Sequence, residues 1–142
     1  PWDRHNFVTQ ALRALKAGQP FTASNDLVIS PTYVPDLVNV SLDLLIDRER
    51  GVWHLTNGEA VTWAELARKA CAIAGVDPRT LEERPAAELG HVAVRPHYSV
   101  LGSERGVLLP SLDDALGRYL KALEEHAADD GEMVGEAAHY AR

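Results

Sequence analysis

Residues 29–38 read ISPTYVPDLV, from Ile29 to Val38. Two prolines, Pro31 and Pro35, enclose Thr32, Tyr33 and Val34. Proline fixes its own φ and pushes the residue before it into the extended region, so the chain up to Pro35 reads as extended. Asp36 then stands where an N-cap belongs, ahead of Leu37, Val40, Leu44 and Leu45 at helical spacing. The stretch is a stiff strand-to-helix joint with a pair of hydroxyl side chains at its centre. Taken alone, Thr32 and Tyr33 read as turn and core; both can also hydrogen-bond or stack on a base or sugar.

Three more helices follow from periodicity and end signals. One runs from Asn6 to Ala17, with Phe7, Val8, Ala11, Leu12 and Leu15 on one stripe and Gly18 as its stop. Another opens with TWAE, in which Thr62 and Glu65 have capping-box spacing; Trp63, Leu66, Ala67, Ala70 and Ala74 follow, up to Gly75. The last begins at PSLDD, with Ser111 as cap and then Leu112, Leu116, Tyr119, Leu120 and Leu123. Short extended pieces are predicted at Phe21–Ala23, Leu27–Ser30, Val52–Leu55, Leu81–Glu83 and Val107–Leu108. They are too short for a free-standing sheet of ordinary size. The fold class expected is therefore a small α/β lobe of about four helices with a few short strands. Residues 1–127 form the domain, and 128–142 form an acidic tail of low periodicity that reads as flexible.

The chain has 142 residues, 46% of them hydrophobic and 25% charged, an ordinary globular composition for one domain. Its net charge is −7, concentrated at the end: residues 124–142 hold six acids against the single Arg142. The body has no basic stripe for a phosphate backbone, which argues against a nucleic-acid role. No apolar run approaches the length of a membrane span and no signal-peptide pattern is visible. The one cysteine, Cys71, has no partner for an internal disulfide, and the sequence reads as cytoplasmic. The first residue is Pro1 and not Met, as expected of a domain cut from a longer polypeptide.

Common catalytic patterns are missing. No GxGxxG, GxxxxGK or Gly-x-Ser-x-Gly occurs, and the six histidines form no HxxxH or HExxH pair. Cys71 lies mid-helix among small apolar residues and reads as a buried thiol. Polar residues at element boundaries remain. The WDRHNF start of the first helix offers free N–H groups and a positive dipole end suited to a phosphate, or an ordinary cap from Asp3 or Asn6. Arg95, held extended before Pro96, suits either a bidentate phosphate contact or a surface ion pair.

Five segments in this order, PWDRHNFVTQALRALKAGQPF, SPTYVPDLVNVSLDLL, GVWHLTNGEAVTWAELA, RPHYSVL and GVLLPSLDDALGRYL, give the chain a family likeness. From Pro1 to Leu123 it resembles the C-terminal, substrate-binding part of dTDP-4-dehydrorhamnose reductase and its relatives among the extended short-chain dehydrogenases. That resemblance implies a lobe that closes over a dTDP-linked nucleotide-sugar. Its partner would be its own N-terminal Rossmann domain, which holds NADPH (or NADH) and supplies a Tyr-x-x-x-Lys pair. Neither the pair nor the glycine fingerprint exists in this chain: Tyr33, Tyr98 and Tyr119 are followed four residues on by Leu37, Gly102 and Leu123. The resemblance therefore implies a parent that reduces a C4 ketone in dTDP-rhamnose biosynthesis, and a lobe that is not catalytic alone. A non-catalytic regulatory or interaction domain of the same fold is the alternative.

Residue by residue, the resemblance assigns substrate binding to Asn6 and Phe7 at the first helix start, to Ser30, Thr32 and Tyr33 in the joint, and to Arg95. The sequence departs from the family at Ile29, where relatives often have Gly, and at Tyr98, where they often have Asn. An apolar face turned toward a Rossmann partner is also implied, and such a face invites a homodimer.

Overall fold

The computed structural model describes residues 5–90, 92–106 and 108–139, with the backbone alone described for 127–139. Its elements run α1 (Phe7–Lys16), β1 (Phe21–Ser24), β2 (Val28–Ile29), α2 (Val34–Ile46), β3 (Val61–Thr62), α3 (Trp63–Ala74), β4 (Leu81–Arg84), β5 (Tyr98–Ser99) and α4 (Leu112–His139). A short 3₁₀ turn, Ala86–Glu88, follows β4.

The core lies where α1, α3 and α4 meet. Val8, Leu12 and Leu15 of α1 meet Leu66, Ala70 and Cys71 of α3 and Leu112, Leu116 and Leu120 of α4. The helical spacing of these residues creates the stripes, and burying such stripes is the main driving force for folding. The fully buried alanines Ala11, Ala64, Ala67 and Ala70 keep the contact faces of α1 and α3 smooth. Burial pushes the Cys71 thiol pKa up, as suits an inert core residue.

α1 and α3 have the ends their sequences predict. Asn6 Oδ1 accepts from the N–H groups of Val8 and Thr9 at 2.9 and 3.4 Å. Thr62 and Glu65 form the full capping box, and Gly75 ends α3 in the left-handed conformation (φ 63°) that glycine adopts without strain. Ser111 caps α4 through its hydroxyl, which accepts from Asp114 N–H.

α2 differs from expectation at its start. It begins at Val34, with Tyr33 in the N-cap position and Pro35 inside the first turn. Proline suits that turn, where its missing N–H costs no helical bond. Asp36 is thus a first-turn residue and not the N-cap, and its carboxylate points inward. The helix also packs less than its apolar content predicts. Leu37, Val40 and Leu44 are half-buried, while Leu45 is 73% and Ile46 76% exposed. With Val34, Val38 and Leu42 they form an exposed apolar face on α2, of the kind the family resemblance implies.

The strands make two small sheets. β1 and β4 pair in parallel, with Phe21 opposite Leu81. β2 is the centre of the other, antiparallel to β3 and parallel to β5. Val52–Leu55, predicted extended, is not a strand. Val61–Thr62 and Tyr98–Ser99 are strands instead, because Val28–Ile29 offers them hydrogen-bonding edges that no local propensity reveals. Val107, in the last predicted piece, lies outside the described residues. Finally, α4 continues to His139, through the stretch where low periodicity predicts a loose tail. Periodicity reports a packed face, whereas a helical backbone can form without one, and 127–138 holds four alanines and two glutamates. Among the described residues no helix is long and apolar enough to cross a membrane.

Candidate functional site: a cleft beside the proline joint

A cleft of about 270 Å³ opens between the start of α1, the Pro31–Tyr33 joint, the start of α3 and α4. Asn6, Phe7, Thr32, Tyr33, Trp63 and Tyr119 supply its polar and aromatic walls, and Ile29, Leu66, Leu112 and Leu116 supply apolar surface. A neighbouring cavity of about 420 Å³ is lined by Phe7, Gln10, Phe21, Trp63, Leu89 and Arg95 among others. Phe7 and Trp63 belong to both. Their rings, 4.6 Å apart at 60°, stand edge to face and divide the two spaces. Side by side, the two spaces match the few hundred to about 1,000 Å³ of ordinary ligand sites.

The predicted site residues fall into three groups. Asn6, Phe7, Thr32 and Tyr33 come together in the first cleft. Arg95 joins them from the next cavity, across the Phe7–Trp63 divide; it is exposed and forms no ion pair among the described residues. Ser30 is not in either lining. Its hydroxyl accepts from Leu101 N–H at 2.9 Å and ties the end of β2 to the chain leaving β5. Asn6 has a structural task of its own: its side-chain carbonyl already occupies two first-turn N–H groups of α1, so an anion approaching this helix end competes with the cap.

The stretch carrying Arg95 is anchored on both sides. Val28 N–H donates to the His97 carbonyl at 2.8 Å. Asp26 accepts from Ala86 N–H and from the Ser24 hydroxyl, each at 2.8 Å. Those bonds, with His97 3.7 Å away, hold the Asp26 carboxyl below its usual range.

Sequence reasoning missed the residues that hold the joint. Asn57 is 1% exposed and bonds to three groups on two segments, the start of α2 and the chain before α4. Its Oδ1 accepts from Tyr33 N–H at 2.7 Å, while Nδ2 donates to Asp36 Oδ2 at 3.1 Å and to the Pro110 carbonyl at 2.8 Å. Arg118 of α4 reaches Asp36 with both ends of its fork, at 2.6 and 2.7 Å, and its Nε donates to Asp114 at 2.8 Å. This guanidinium holds the Asp36 carboxyl below the usual carboxylate range, with Asn57 adding to the effect, and the Arg118 pKa is pushed up in turn. The same guanidinium sits 5.0 Å from the Tyr33 ring centre, in cation–π range. Tyr33 also meets Tyr119 edge to face at 6.4 Å, and the Tyr119 hydroxyl is hydrogen-bonded to that of Thr9. In sequence, Asn57-Gly58 signals only a turn and Arg118 only a helical pair with Asp114.

Among the described residues, the lining of the first cleft contains no acid, amine, imidazole or thiol. Its chemistry is that of binding: flat aromatic faces, apolar walls and a few hydroxyls and amides that fix orientation.

Residues 2–125 match the model of the RmlD substrate binding domain. The chain is 29% identical to dTDP-4-keto-6-deoxy-D-glucose reductase of Streptomyces niveus, over 72% of this chain and 36% of that protein. It is 30% identical to dTDP-4-dehydrorhamnose reductase of Streptomyces griseus, over 70% of this chain and 34% of that protein. Among solved structures, dTDP-4-dehydrorhamnose reductase from Bacillus anthracis in complex with NADP superposes with a TM-score of 0.75 at 28% identity. The superposition covers 83% of this chain and 43% of that one. The chain thus spans roughly a third of the length of these curated relatives.

Proposed function

The chain belongs to the RmlD substrate binding domain family, and from that premise we propose that it is the nucleotide-sugar-binding lobe of a reductase acting on a dTDP-linked 4-keto-6-deoxysugar. The observation that carries this reading is the cleft itself. The joint that the family resemblance places beside the substrate is, in this structure, the wall of an aromatic cavity. Arg95, with no ion-pair partner among the described residues, stands one ring away.

In this reading the aromatic divide separates the parts of an elongated ligand, and Arg95 meets its diphosphate. A guanidinium fork suits paired phosphate oxygens, and charge-assisted hydrogen bonds of this sort are about twice as strong as neutral ones. Thr32 and Tyr33 contribute hydroxyls toward the sugar. The lobe's part in the reaction is to hold the substrate and keep water from it, while reduction of the C4 ketone belongs to the portion of the relatives that this chain does not span. NADPH supplies the hydride in such a reaction. The residues of this chain do not fit that cofactor, since the sequence has no glycine-rich dinucleotide turn. The role assigned here is therefore confined to binding.

Titration of the ¹⁵N-labelled protein with dTDP, UDP and GDP tests the reading. The amide signals of Phe7, Thr32, Tyr33 and Arg95 are expected to move together with dTDP, with a weak Kd because one side of the cleft is open. Unchanged spectra at millimolar concentrations of all three would refute it.

A further inference from the structure

Asp36 is an unusual residue to bury. It is 6% exposed and the only buried residue of α2, on a helix whose apolar side chains are half-buried or exposed. A carboxylate taken out of water must be paired and hydrogen-bonded, and here it is: the Arg118 fork and Asn57 Nδ2 together occupy both oxygens. The pair is buried on the Asp36 side only, since the Arg118 side chain is 39% exposed, and a partly exposed pair is weak evidence for stability in itself. Its presence points to geometry and not to stability as its use.

All of this geometry converges on one residue. Asn57 holds the Tyr33 N–H, Arg118 lies over the Tyr33 ring, and the Tyr119 ring packs against it edge to face. Pro31 and Pro35 restrict the backbone on either side. Tyr33 is in the cleft lining, whereas Asp36, Asn57 and Arg118 are not.

We infer that Asp36, Asn57 and Arg118 are positioning residues for the binding cleft: they fix the backbone and ring of Tyr33 in the orientation that a ligand meets, without touching the ligand themselves. The inference rests on the preceding reading of the cleft as the ligand site. Its physical basis is that a wall residue ordered before binding spares the ligand the cost of ordering it.

The test compares dTDP affinity across four proteins well below their melting temperatures: wild type, Arg118→Lys, Tyr33→Ala and the double variant. Lysine keeps the charge beside Asp36 but loses both the bidentate fork and the flat stacking surface. Arg118→Lys is expected to weaken dTDP binding about threefold to tenfold, the range that corresponds to freeing one side chain. It should also shift the tyrosine-ring and amide signals of Tyr33 in the free protein, with those of Arg95 unmoved. The decisive result is the double variant. If Arg118 acts through Tyr33, Arg118→Lys costs nothing further once Tyr33 is alanine; a general loss of structure costs the same in either background. An additive result overturns the inference, as does an unchanged Kd in Arg118→Lys. A second, neutral variant, Asp36→Asn with Arg118→Gln, removes the charges without stranding either one, and it is expected to weaken binding to the same degree. Wild-type protein that binds none of dTDP, UDP or GDP overturns the reading of the cleft, and the inference with it.

Discussion

Replacing Asn57 with Asp exchanges one amide NH₂ for an oxygen, and the structure makes this among the harshest isosteric changes available. The Oδ1 that accepts from Tyr33 N–H at 2.7 Å is retained. The other terminal atom sits 3.1 Å from Asp36 Oδ2 and 2.8 Å from the Pro110 carbonyl. As a nitrogen it donates to both; as a carboxylate oxygen it faces two acceptors in a site 1% exposed. Two unit charges about 3 Å apart repel by roughly 5 kcal/mol at an effective dielectric constant of about 20. Arg118, already paired with Asp36, offsets part of that, and two lost hydrogen bonds of about 1 kcal/mol each add to it. A net cost of about 3–5 kcal/mol at pH 7 follows, or a fall of about 10 °C or more in melting temperature for a domain of this size. The penalty should also depend on pH. Two adjoining carboxylates cannot both ionise readily, so one of them has a folded-state pKa raised above the unfolded value of about 3.9. A group raised in this way destabilises fully above its folded pKa, and the penalty shrinks as pH falls from that value toward the unfolded one. Urea unfolding of Asn57→Asp at pH 7 and pH 5, beside Asn57→Ala, measures both parts: the Asp variant should regain stability on acidification relative to wild type, and the Ala variant should not. A penalty under about 1 kcal/mol, or one equal at the two pH values, would refute the assignment of the Asn57 network.

Two other outcomes follow. Removing the reciprocal cap of α3 by Glu65→Ala leaves Thr62 N–H and hydroxyl without the carboxylate they meet at 2.7 and 3.0 Å, and thermal unfolding should show a loss of about 1 kcal/mol. Asp36 should also leave a signature in acid. Because Arg118 and Asn57 lower its folded pKa, its stabilisation is complete above the unfolded value of about 3.9 and is lost as pH falls through the lower folded value. Stability curves between pH 2 and 6 should therefore be flatter at the acid end in Asp36→Asn than in wild type.

Legibility in the sequence followed locality. α1 and α3 could be read almost to the residue because their decisive interactions span four positions or fewer: Asn6 with Val8 and Thr9, Thr62 with Glu65, Gly75 with the turn before it. The strands were legible where propensity and pairing agreed, at Phe21–Ser24, Val28–Ile29 and Leu81–Arg84. Val61–Thr62 and Tyr98–Ser99 became strands through a common, distant partner, Val28–Ile29, with Val28 opposite both Thr62 and Tyr98. In the cleft, Asn6, Phe7, Thr32 and Tyr33 were named through the family resemblance, with which the helix start and the proline joint agree. Trp63 and Tyr119 were read only as core, because helical periodicity cannot tell a buried aromatic ring from one that borders a cavity.

Asp36 shows why the rest was illegible. After Pro35, a local rule makes it an N-cap, and that rule is sound for a helix end open to solvent. The tertiary structure offers the carboxylate something stronger: a bidentate guanidinium from 82 residues away and an amide from 21 residues away. Charge-assisted, doubly made bonds outweigh a single cap bond, so the N-cap lies three residues earlier, at Tyr33, and Pro35 moves into the first turn. That shift sets Tyr33 at the helix N-cap, where its amide meets Asn57 and its ring meets Arg118. Asn57 and Arg118 each had a sufficient local explanation, as a turn residue and as a helical pairing partner. A residue whose local role is already complete gives no sign in the sequence of a second, distant one. In this fold the frame of the cleft is built from residues of that kind, while Asn6, Phe7, Thr32 and Tyr33 of its lining stand at the ends of elements.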